Sequence, residues 1–187
     1  NLYRNGSSTG NPELATLGAG YYVYVYNTTG GENYTAGSTA ARYLTVNKTD
    51  DFVNLTLNGA QTNLTIAYDT AINASATSSS GITAIYRNGT DITEEMNINV
   101  ILPAGYYEYK VNTTGNANYT ANSTGVTYYV IVAPMTSICS VDFNPVSAIT
   151  YGTAVNASCS CTNPEASAKL YRNGSEVTGE INTNVTL

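Results

Sequence analysis

The stretch PAGYYEYKVNTTG at Pro103–Gly115 decides the fold. Tyr107, Tyr109 and Val111 form one alternating set, and Tyr106, Glu108 and Lys110 fill the positions between them. Successive side chains of a strand point to opposite faces, so this period of two predicts a strand with one buried side. The apolar set should face a core and the mixed set should face out. The stretch has a double, GAGYYVYVYNTTG at Gly18–Gly30, which places Tyr22, Tyr24 and Tyr26 inward by the same rule.

Other segments return with it. LYRNGSSTG at Leu2–Gly10 recurs as IYRNGTDIT at Ile85–Thr93 and LYRNGSEVT at Leu170–Thr178. ENYTAGST at Glu32–Thr39 matches ANYTANST at Ala117–Thr124, and IAYDTAINASATS at Ile66–Ser78 matches ITYGTAVNASCSC at Ile149–Cys161. The offsets are 83 to 85 residues, too long for a solenoid turn and right for one small β domain. This predicts the C-terminal part of one repeat over residues 1–49, a complete repeat over 50–133 and the N-terminal part of a third over 134–187.

Within the complete repeat, VNLTLNG, NLTIAYD, AINASAT, ITAIYRNG, MNINVIL, YYEYKVN and TYYVIV are short and rich in β-branched and aromatic residues. Gly, Asn, Asp, Ser and Pro separate them, and no segment carries a helical period. The expectation is an all-β chain of two-sheet sandwiches. Arg-Asn-Gly between two such runs is a type I′ turn signal, since both central residues of that turn need positive φ.

Composition narrows the function. Only 11% of the 187 residues are charged, the formal charge is −6, and His and Trp are absent. Nucleic acid is therefore not an expected partner, and no apolar run is long enough to place this segment in a membrane. Without His, the commonest general base and metal ligand is missing; no cofactor and no catalytic residue is expected, and an enzyme is the least favoured class. Asp50-Asp51 at a unit junction reads as a solvated linker in preference to a Ca²⁺ site, and Glu94-Glu95 lacks any partner suggesting acid–base catalysis.

What hydrates so uncharged a surface is suggested by the asparagines. Asn-x-Ser/Thr sequons occur at Asn5, Asn27, Asn33, Asn47, Asn54, Asn63, Asn73, Asn88, Asn112, Asn118, Asn122, Asn156, Asn173 and Asn184, which is 14 of 23 asparagines. Chance placement would give about five by the sequon rule. Several share an address between repeats: Asn5/Asn88/Asn173, Asn27/Asn112, Asn33/Asn118 and Asn73/Asn156. N-linked glycans are expected, and they would shield strand edges as well as hydrate. The competing reading is that Asn and Thr are turn and strand residues multiplied by repetition.

Two smaller features complete the inventory. Where the central repeat has Glu108 and Lys110, the first has Val23 and Val25 beside Tyr21. These are either tolerated exposed side chains or an interface with a neighbouring domain or subunit. Three cysteines sit in the third unit; Cys159 and Cys161, one residue apart on a strand, are too far apart to join, so Cys139 is expected to pair with Cys159 or Cys161. No metal site is expected of them.

The series Gly105-Tyr106-Tyr107-Glu108-Tyr109, Asn112-Thr-Thr-Gly, Asn118-Tyr-Thr and the closing TYYVIV strand resembles bacterial and archaeal Ig-like repeats of surface adhesins and surface-layer-type proteins. The resemblance spans essentially the whole chain. It implies tandem Ig-like β-sandwich domains on an extracellular, cell-surface protein, with a structural role in a filament, stalk or surface layer. Partners would be neighbouring repeats or copies of the chain. The first and third units, incomplete in complementary ways, read either as a stretch of a longer array or as sheets that neighbouring chains complete by strand donation. Surface glycans would be the partners if the module is an adhesin or carbohydrate-binding domain reading sugars with Tyr21 and Tyr106. It also implies that Tyr107 and Tyr22 are corner tyrosines whose hydroxyls bond to nearby backbone.

Overall fold

The Arg-Asn-Gly hairpins are built as their sequence requires. Asn5, Asn88 and Asn173 have φ of 51°, 50° and 51°, and the glycines after them 83°, 80° and 84°. Both central residues are left-handed, which is the type I′ geometry that lets two strands continue their twist through a two-residue loop. A computed structural model describes every residue except Ile82, Ser147 and Leu187, so the first residue of the ITAIYRNG signal lies outside the described residues. The chain forms two compact units, Asn1–Pro134 and Met135–Leu187.

The first unit begins with a sheet of β1 (Leu2–Arg4), β2 (Ser7–Thr9), β3 (Gly20–Thr28), β4 (Gly37–Ser38) and β5 (Arg42–Val46). β1 pairs with both β2 and β3, and β4 and β5 both pair with β3. Next come β6 (Val53–Leu57), β7 (Leu64–Ala67), β8 (Ala71–Ser78), β9 (Ala84–Arg87), β10 (Thr90–Asp91), β11 (Asn99–Ile101), β12 (Gly105–Thr113) and β13 (Asn122–Ala133). These make one sheet in the order β10-β9-β12-β13-β7 and a second in the order β11-β8-β6. All pairs are antiparallel except β7, which runs parallel to β13. Consecutive strands β6 and β7 thus enter different sheets, and the result is an Ig-like sandwich.

Its core is the set the alternation selects. Val53, Leu55 and Leu57 of β6 and Ile72, Ala74 and Ala76 of β8 meet Ile85, Tyr109, Val111, Val130 and Val132 from the facing sheet, all buried. Tyr107 packs against this cluster, whereas Tyr106 is exposed. The Tyr107 hydroxyl donates to the Pro103 carbonyl at 2.9 Å, and the Tyr22 hydroxyl donates to the Gly18 carbonyl at 2.8 Å. Both corner tyrosines therefore tie the start of their strand to the backbone four residues upstream.

The same inward face is not covered in the first sheet. Tyr22 and Tyr24 are half-buried, but Tyr26 is 43% exposed and Leu44 42%, while Val130, which holds the address of Leu44 opposite the corner tyrosine, is fully buried. The alternation of β3 sets the facing correctly, but burial needs a second layer. Among the described residues of 1–46 no second sheet lies over β3. The expectation of a buried Tyr26 is corrected for that reason.

The second unit has a sheet of β14 (Cys139–Asn144), β15 (Ala154–Cys161) and β18 (Asn184–Thr186), in the order β14-β15-β18, and a hairpin of β16 (Tyr171–Arg172) and β17 (Ser175–Glu176). Its pairing copies β6-β8-β11. The Val53–Ser78 pair of the sandwich has its counterpart in Cys139–Cys161, and Asn73–Asn99 in Asn156–Asn184.

Candidate functional site

The residues singled out by the sequence fall into three groups: the hairpins, the junction between the first sheet and the sandwich, and the outer faces. At the hairpins, the tip asparagine extends the ladder with its side chain. The Asn88 backbone N–H donates to the Glu108 carbonyl at 2.9 Å, and the Glu108 N–H donates to Asn88 Oδ1 at 2.8 Å. Asn5 repeats this with Val23, at 2.9 Å and 2.8 Å. The preceding arginine forms an ion pair each time: Arg4 with Glu13, Arg87 with Glu95 at 2.6 and 3.1 Å, and Arg172 with Glu180. Glu95 is thereby a hairpin clamp. The signal was available in the sequence, as a Glu eight or nine residues after each hairpin Arg.

The junction corrects one reading outright. Asp51 is not solvated; it is 3% exposed. Its carboxylate accepts the Ser80 N–H at 3.0 Å and the Thr113 hydroxyl at 2.9 Å. Burial is the largest single influence and pushes its pKa up, but hydrogen bonds from Ser80, Thr113 and the Ser79 backbone outweigh it and hold the carboxyl below its ordinary value. Asn122 Nδ2 donates to the Asp51 carbonyl at 3.0 Å, and its Oδ1 accepts the Gly125 N–H at 2.9 Å. Asn116 Nδ2 closes the network on the Ser80 carbonyl at 3.2 Å.

The segment before Asp51 is no free tether. Thr49 forms a parallel bridge with Tyr119; its N–H donates to the Asn118 carbonyl at 3.0 Å and its carbonyl accepts the Thr120 N–H at 2.9 Å. Lys48 Nζ donates to the Asn116 carbonyl at 2.8 Å, and the Ala19 N–H donates to Asn118 Oδ1 at 2.8 Å. A Cβ on Gly18 would lie 2.8 Å from that same oxygen, so the approach is close. The first sheet is held to the sandwich by the main chain of Thr49 and by side-chain bonds of Asn118 and Lys48.

On the outer faces, Tyr21 stacks on Tyr43 with ring centroids 5.6 Å apart, and Tyr106 stacks on Tyr129 at 5.3 Å. Tyr21 is 58% exposed, but Val23 and Val25 are half-buried, because Tyr43 lies directly across from Val23 and Tyr3 across from Val25. In the second unit Cys139 and Cys161 form a disulfide, and Cys159 carries a free thiol. Among the described residues no group of three His, Cys, Asp or Glu is arranged to hold a metal ion.

The sequon asparagines differ in what their amides do. Asn5, Asn88 and Asn63 engage through Oδ1 only, the last accepting the Tyr129 N–H at 3.0 Å. Asn118 likewise accepts through Oδ1 but at the junction. Asn73 and Asn156 donate Nδ2 to Asn99 and Asn184 across the β8–β11 and β15–β18 pairs, at 3.1 and 3.3 Å. Asn122 uses both ends of its amide. Asn33, Asn47, Asn173 and Asn184 are exposed, whereas Asn27, Asn54 and Asn112 are half-buried.

No protein-family model matches the chain, and no curated protein does. Among solved structures, the fibronectin(III)-like modules of Clostridium thermocellum CbhA align at 16% identity over 71% of this chain and 76% of theirs, with a TM-score of 0.35. At that level the fold rests on the strand order and register described above.

Proposed function

We propose that the chain is a structural module of an extracellular, N-glycosylated cell-surface protein, built of tandem Ig-like repeats in a filament, stalk or surface layer. The supporting observation is the junction at Thr49–Tyr119. Consecutive β bodies are joined there by main-chain bonds on both sides of Thr49, as a load-bearing or spacing element needs, where a Gly/Ser tether would flex. The sequon density supplies the hydration that 11% charge leaves wanting. The uncovered faces extend the reading to partners. Tyr26 and Leu44 of the first sheet, and Phe143 of the last, occupy addresses that the sandwich seals with a second layer. A neighbouring repeat, of the same chain or of another copy, closes over each. Electron microscopy of the native assembly tests this: rods or lattices with one node per repeat are expected, and freely jointed or dispersed particles would refute it.

A second reading has its own observation. The stacked pairs Tyr21–Tyr43 and Tyr106–Tyr129 lie at matching addresses in two repeats, an arrangement that suits binding of a pyranose face by an adhesin or carbohydrate-binding module. Glycan-array binding that is lost in Tyr21→Ala and Tyr106→Ala would favour it over the purely structural role.

A further inference from the structure

We infer that the hairpin tips, Asn5, Asn88 and Asn173, are sugar acceptors of this surface, and that Asn122 carries no sugar although its sequon is intact. This inference rests on the glycosylated-module reading. The turn explains the asparagine at each tip but not the residue two places on. A fourth Asn-Gly turn, Asn58-Gly59-Ala60, shows what the turn alone requires: Asn58 also has positive φ, 50°, and its Oδ1 also accepts a strand N–H, that of Asn73, at 2.7 Å. It does so with Ala60 where the repeated hairpins have Ser7, Thr90 and Ser175. Among the described residues those three hydroxyls have no hydrogen-bond partner, and all three residues are exposed, so neither the turn nor burial calls for them. The sequon does, since a hydroxyl two residues after Asn is what a glycosylation acceptor needs.

Geometry agrees with chemistry at these positions. All three tip asparagines are exposed. At Asn5 and Asn88 the Oδ1 bond to the neighbouring strand fixes the side chain, and Nδ2 has no partner among the described residues. In the transfer step, Nδ2 forms a bond to the anomeric carbon of a polyprenyl-diphosphate-linked oligosaccharide. The bond from that carbon to the phosphate oxygen breaks, the diphosphate leaves, and the amide gives up one proton to the transferase. At Asn122 the same nitrogen is spent on the Asp51 carbonyl while Gly125 holds the oxygen, and the residue is half-buried among the groups that seat Asp51. A pyranose there would displace the Asp51 network.

Glycopeptide mass spectrometry on protein purified from its native source tests the assignment. Tip peptides should carry one glycan mass each, and the Asn122 peptide none. Thr90→Ala, expressed in the native host, should remove one glycan mass and leave the thermal midpoint of the deglycosylated protein unchanged, while Thr90→Ser should retain the glycan. Bare tips with other sequons occupied, or a glycan on Asn122, would overturn the inference and leave the glycosylated reading standing. A chain bare at every sequon would remove both.

Discussion

Asp51 shows how much one carboxylate can organise. Three segments distant in sequence, at Ser80, Thr113 and Asn122, converge on its side chain and carbonyl. Because its folded pKa is depressed, the stability it contributes is complete above the ordinary carboxylate value of about 3.9 and is lost as pH falls through the lower folded value. Urea midpoints of the native protein should therefore fall as the pH drops below about 4. In Asp51→Asn that dependence should flatten, with stability lower at neutral pH; an unchanged slope would show that Asp51 is not the titrating group. Nothing local marked it: an acidic pair at a unit boundary reads as solvated, and its donors lie far along the chain. Gly125 makes the complementary case for backbone. It has φ of +65°, sits beside the register shift between Val111 and Thr113, and a Cβ there would lie 1.7 Å from the Val111 carbonyl oxygen. Gly125→Ala should cost about 3–5 kcal/mol, the sum of positive-φ strain and overpacking, measured by chemical denaturation.

At the scale of elements, period-two alternation made the strands and their facing legible: Tyr107, Tyr109 and Val111 do turn toward the core of the sandwich. The hairpins were legible because Asn-Gly has few other uses between two strand patterns. The junction was not. Asp50-Asp51 reads as a solvated linker, and only the main-chain partners at Asn118 and Thr120 show the preceding Thr49 to be paired. Asn118→Ala removes the acceptor for the Ala19 N–H while leaving both sheets intact. One hydrogen bond of about 1 kcal/mol should raise the population of open junctions about fivefold, seen as a broadened distance distribution between spin labels placed on β5 and β13. The β14–β15 pair offers a separate test. Cys139 and Cys161 close a loop with a sequence separation of 22, so reduction should destabilise residues 135–187 by about 3 kcal/mol and leave the sandwich transition in place. A single calorimetric transition shifting as a whole would contradict that independence.

For the molecule as a whole, alternation and repetition could say which face of each sheet is apolar but not what lies over it. Tyr26 belongs to the apolar set of β3 and is nonetheless exposed, because covering a face is a property of the second layer and not of the strand. Surface chemistry is equally divided. Of the seven Lys and Arg residues, Arg4, Arg87, Lys169 and Arg172 are spent in ion pairs with glutamates, all within a hairpin region. At Thr49, by contrast, the junction is closed by peptide groups, and the neighbouring Lys48 binds a carbonyl. Dissolved ions screen charges over about 8 Å at physiological strength, but they have little to act on where amide meets amide. A string of such bodies should keep the same bend and reach in fresh water and in concentrated brine.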